Sequence, residues 1–96
     1  MAKSKILGDF VANTPQYLAN RGGVSNLVLS NVTTVDITAA VGVSEPRLTA
    51  YYVKNLVIPP GTAIDVLDGT VVSTEANKLF VETNTTGGMN VVYTAI

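Results

Sequence analysis

The chain has 96 residues, enough for one compact domain, because a second core of useful size could not be fed from so short a sequence. Hydrophobic residues make up 47% and charged ones 14%, against roughly 25% charged in ordinary soluble proteins, so the surface is poor in charge and the composition favours an oligomer or larger assembly that covers part of it. A net charge of -1 without any basic stripe speaks against a nucleic-acid partner, and the Lys3/Lys5 pair is too small for a membrane switch.

Cysteine is absent, which removes disulfides, thiolate metal sites and thiol nucleophiles. No apolar run approaches the ~18 residues of a membrane span. The opening MAKSKILGDF is basic but carries no apolar core segment, so the expectation is a protein made and kept without secretion. The Asn-x-Thr triplets at 31–33 and 84–86 then follow from an Asn/Thr-rich composition.

Val, Ile and Thr account for 32 residues, side chains stiff at χ1 that fit a pleated sheet better than a helix. Residues 1–23 are the exception, mixing apolar anchors with Gly8, Pro15 and Gly22-Gly23 without a sustained period. They are expected to form an arm or an edge strand, and Ile6, Leu7, Phe10 and Tyr17 are the side chains by which such an arm would hold a neighbouring subunit or another surface of an assembly. From residue 24 a sandwich domain runs to residue 96.

Within that domain, VSNLVLSN (24–31) reads as a strand. VDITAAVGV (35–43) places Val35, Ile37, Ala39, Val41 and Val43 on one face and Asp36, Thr38, Ala40 and Gly42 on the other, a period of two. The NVTTV between them is expected to be a tight turn joining the two as a hairpin. Pro46 makes SEPR a second turn, and LTAYYVKNLVI (48–58) is the next strand. Pro59 and Pro60 cannot donate to a ladder and Gly61 accepts a positive φ, so the chain turns there before TAIDVLD, with Ile64 and Val66 on one face, and turns again at Asp68-Gly69. TVVS (70–73), KLFVET (78–83, Leu79 and Val81 opposite Lys78, Phe80 and Glu82) and MNVVYTAI, the last two separated by NTTGG, complete the count. About seven to eight short strands at this spacing predict an all-β antiparallel sandwich, jelly-roll or immunoglobulin-like.

Chemistry is sparse. There is no His, Cys or Trp, no G-x-S-x-G or S-x-x-K arrangement and no phosphate loop. Asp65 and Asp68 lie three apart and could offer oxygens to a hard cation, but the alternating ligands and terminal Glu of an EF-hand are missing, and a turn carboxylate is the simpler role. No catalytic, cofactor or metal residue is assigned. Tyr51 and Tyr52 are adjacent on a strand, so one is expected in the core and the other, taken as Tyr51, on the surface as an anchor.

The order LTAYYVKNLVIPPGTAIDVLDG, short strand, loop, NKLFVETNTTGGMNVVYTAI resembles small virion structural proteins of tailed bacteriophages, over roughly residues 24–96. The resemblance lies in turns and apolar spacing, and STEANKL departs from it where the family more often has an acidic-Gly-Asp turn. It implies a non-enzymatic capsid decoration or cement protein on the virion surface, made in the host cytoplasm, whose partners are copies of itself, a homotrimer by analogy, and the major capsid protein or other virion proteins. A neck, tail or fibre accessory protein is the alternative within that class. A receptor- or glycan-binding module is the alternative outside it, and an exposed aromatic cluster with acidic or amide neighbours would favour it.

Overall fold

The computed structural model describes residues 3–19, 23–67, 72–73 and 78–95. Nine strands occur among them: β1 (Lys3–Leu7), β2 (Gln16–Tyr17), β3 (Gly23–Asn31), β4 (Ile37–Glu45), β5 (Leu48–Ile58), β6 (Ala63–Asp65), β7 (Val72–Ser73), β8 (Leu79–Thr83) and β9 (Met89–Ala95). They form an antiparallel β-sandwich. One sheet runs β1-β9-β3-β6, with β7 also pairing β3, and the other runs β2-β8-β4-β5. The Asp68-Gly69 turn lies outside the described residues.

The connectivity selects between the two sandwich types. β1 pairs β9, β2 pairs β8, β3 pairs β6 and β4 pairs β5, so the pairs are nested like the two arms of one long hairpin whose tip is the Pro46-Arg47 turn. Rolling that ribbon upon itself brings β3 beside β9 and β4 beside β8. This is the jelly-roll wrapping.

The register explains which residues form the core. On β4, Ile37, Ala39 and Val41 are buried and Val43 packs against them, as the period-two reading requires, while Val35 falls before the strand and is exposed. Leu27, Leu29, Leu79, Val81, Met89 and Val91 fill the space from the other strands. Facing layers of branched aliphatic side chains, each worth about 1.5 to 3 kcal/mol when fully covered, hold the sheets together.

The expected hairpin between 24–31 and 35–43 does not form. β3 and β4 belong to different sheets, and residues 32–36 carry the chain across the sandwich. The buried Asn31 holds this crossing. Its Nδ2 donates to the carbonyls of Val35 (2.7 Å) and Ile58 (2.8 Å), and its Oδ1 accepts from the Thr33 N–H (2.8 Å) and hydroxyl (2.7 Å). A buried amide is tolerated only when satisfied in this way. The Gly61 N–H donates to the Asn31 carbonyl (3.1 Å) from a φ of 66°, which is why glycine follows the two prolines. The Pro-Pro-Gly corner thus serves topology.

Residues 3–19 are part of the sandwich. β1 is the edge of the first sheet and β2 the edge of the second. Between them Phe10 is 1% exposed, and Leu18, just after β2, is fully buried. Phe10 is therefore a core residue of its own subunit and is not free to anchor a neighbour. Leu7 also packs against this core.

Candidate functional site

On the outer face of each sheet, one in-register row of side chains stands out by its composition. On the first sheet, Ile6 pairs Val92, Val92 pairs Val28 and Val28 pairs Asp65, four strands in sequence. Ile6 is 82% exposed and Val92 is also exposed. The only charge in this row is Asp65, whose Oδ1 lies 3.4 Å from the Leu27 N–H.

On the second sheet the corresponding row is Tyr17, Phe80, Gly42 and Tyr51. Phe80 sits in the middle with its ring centroid 5.8 Å from that of Tyr17 and 5.7 Å from that of Tyr51, the latter edge-on at 83°. Such tilted geometry suits the ring quadrupoles. The two tyrosines cover Phe80, which is 3% exposed although it points away from the core, while Tyr17 and Tyr51 remain 46% and 41% exposed. Lys54 Nζ stands 4.8 Å from the Tyr51 ring centroid, within cation–π range.

Gly42 makes this packing possible. A Cβ there would lie 2.6 Å from the Ala50 carbonyl oxygen and 2.9 Å from Phe80 Cζ, so a side chain must displace the ring or the edge strand. Gly42→Ala is expected to cost about 1 to 3 kcal/mol as overpacking and to weaken the near-ultraviolet circular dichroism of the aromatic row. Chemical denaturation and that spectrum check it together. Unchanged stability and spectrum would show that the row does not depend on the glycine.

Two residues along the same strands, the face changes character. Ala40 pairs Glu82, and a recess of about 150 Å³ opens over them, lined also by Asn13, Thr38, Lys54, Asn55 and Asn84. Asn13 and Asn55 hold φ values of 60° and 57°, a left-handed conformation that Asn enters more readily than most residues. Asn55 does so inside β5, where the pairing with β4 slips between Ala39 and Val41. The extra residue is the mark of a bulge, which re-aims side chains at sheet edges. Asn84 Oδ1 accepts from the Thr38 N–H and the Thr85 hydroxyl, both at 3.0 Å. Among the described residues, the side-chain amides of Asn13 and Asn55 and the Glu82 carboxylate have no hydrogen-bond partner.

The structure thus places the sequence-derived candidates differently from one another. Ile6 lies on the outer row of the first sheet, Tyr17 and Tyr51 flank Phe80 on the second, and Leu7 and Phe10 face inward. Tyr52 corrects the expectation of one core and one surface tyrosine, since both are exposed. The pairing slips again between Val41 and Gly42, and Tyr52 lines a groove with Leu56, Ile64 and Val66 at the open side of the sandwich. Phe80, Gly42, Asn13 and Asn84 were not singled out from sequence. The available signal was a glycine inside an alternating strand, which marks close approach of another group.

Asp68 lies outside the described residues, among which no three His, Cys, Asp or Glu side chains gather as a metal would need. No family model, curated protein or solved structure matches the chain.

Proposed function

We propose that the chain is a non-enzymatic structural protein of a tailed-phage virion, which binds the virion surface as a homo-oligomer and stabilises the capsid. The observation that carries the reading is the outer row of the first sheet, where an Ile6 that is 82% exposed adjoins exposed Val92 on a face with little charge. Burying Ile6 against another chain contributes about 1.5 to 3 kcal/mol. Side chains such as Asn90, Thr94, Asn26 and Ser30 around it are neutral, so a partner surface need not carry complementary charge. The major capsid protein and further copies of this chain are such partners. The jelly-roll wrapping, used by many capsid proteins, and the resemblance in turn order agree with this.

The test is cosedimentation of the purified chain with mature phage heads, alongside its molar mass from light scattering. Ile6→Asp is expected to lower shell binding at least tenfold, or to reduce the mass to that of one subunit, while the β spectrum is kept. Wild-type protein that is monomeric and fails to sediment with heads would sink the decoration reading. Sedimentation with isolated tails instead would move it to a neck or tail accessory role.

A further inference from the structure

The outer face of the second sheet joins two features that the shell-binding reading does not use. One is a pair of half-exposed tyrosine rings set on either side of Phe80. The other is the recess beside them, where amides from three separate segments converge with one carboxylate and one ammonium. Glu82 stands two residues beyond Phe80 on β8 and Ala40 two before Gly42 on β4, so ring platform and recess are offset by roughly 7 Å at 3.2 to 3.4 Å per residue. Lys54 belongs to both, lining the recess and lying over Tyr51.

A ligand that fits must have an apolar face to lie on the tyrosines and, about one ring further, a set of groups that both donate and accept hydrogen bonds. Amides do both. Glu82 and Lys54 contribute opposite charges, so the lining asks for no net charge on the ligand. An acidic peptide or a phosphate would leave Glu82 facing a like charge, and an apolar peptide would desolvate the Asn13 and Asn55 side-chain amides without giving them a partner. A pyranose has the required halves, with axial C–H bonds on a ring face and hydroxyls at its rim.

We propose that this face is a binding site for a neutral saccharide of at least two hexose units, one stacked on Tyr51 or Tyr17 and the next hydrogen-bonded to Asn13, Asn55 and Glu82. The site is independent of the shell-binding face, which lies on the opposite sheet. The chain then both attaches to an assembly and displays a glycan receptor surface away from it.

The experiment is saturation-transfer NMR on the full chain with a panel of neutral di- to tetrasaccharides of glucose, galactose, mannose and N-acetylglucosamine at millimolar concentration, with sialyllactose as the acidic comparison. At least one neutral member is expected to receive transfer at its ring C–H protons. Tyr51→Ala should weaken that binding tenfold or more. Asn55→Gly, which suits the positive φ and removes only the amide, should weaken it several-fold without loss of the melt. Ile6→Asp should leave it unchanged. Absence of transfer across the neutral panel overturns the proposal, as does transfer that survives both Tyr51→Ala and Asn55→Gly, or stronger binding of sialyllactose. A molar mass that falls to one subunit on Tyr51→Ala also overturns it, since a second copy would then occupy the face.

Discussion

A chain that starts at Val24 is expected to lose its cooperative melt and most of its β spectrum. The segment it lacks supplies the edge strands of both sheets, β1 on β9 and β2 on β8. It also supplies Phe10 and Leu18 to the core. Core truncations of Phe and Leu to Ala cost about 3 to 5 and 2 to 5 kcal/mol, and a small domain holds only about 5 to 15 kcal/mol in all. Removing both residues with their backbone therefore consumes most of the stability. Further ties go with them: the Gly87 N–H to the Phe10 carbonyl (2.8 Å), the Leu18 N–H to the Leu79 carbonyl (2.8 Å) and the Asn13 N–H to the Thr83 carbonyl (2.7 Å). The Tyr93 hydroxyl, which accepts from the Ala19 N–H at 3.1 Å, would be left without that donor. Circular dichroism and light scattering of the shortened chain decide the matter. A retained β spectrum with reduced mass would mean instead that the segment is an arm gripping neighbours.

That expectation takes the edge-strand alternative for residues 1–23 and not the arm, and the reason the sequence left both open is local. β1 and β2 are short, and the chain between them turns through Asp9 and Asn13 at positive φ, so no period has room to establish itself. Where prolines bracket a strand, the reading succeeds: Leu48–Ile58 lies between Pro46 and Pro59 and matches β5 at both ends. The alternation at Ile37, Ala39 and Val41 likewise told core from surface. Pairing was not legible in the same way. An apolar face says that a strand is half-buried, but β3 and β4 both have one, and it is the sheet pairing, braced by the four hydrogen bonds of the buried Asn31, that shows residues 32–36 crossing between sheets rather than reversing within one. Tyr17 and Tyr51 were visible singly. Their placement on either side of Phe80 depends on Gly42 and on strands remote in the chain, and so on the nested pairing itself.

Val41→Asp tests that pairing at its centre. Val41 is fully buried on β4, between Val81 of β8 and Val53 of β5, with Leu, Ile and Val side chains around it in the core cluster. No cation stands among them to pair with a carboxylate. An unpaired buried charge costs several kcal/mol even after the group shifts toward its neutral form, which approaches the stability of a small domain. The variant is expected to show no cooperative melt at neutral pH. Val57→Asp supplies the control, because Val57 is exposed on the neighbouring edge strand, and a surface change of that kind stays within about 0.5 kcal/mol. Val41→Thr separates polarity from charge. Its hydroxyl, nearly the volume of the lost methyl, is expected to cost about 1 to 3 kcal/mol and to leave a folded protein with a lower melting temperature. If Val41→Asp melts near the wild-type temperature while Val57→Asp does not, the inward and outward faces of this sheet are exchanged and the jelly-roll register given above is wrong.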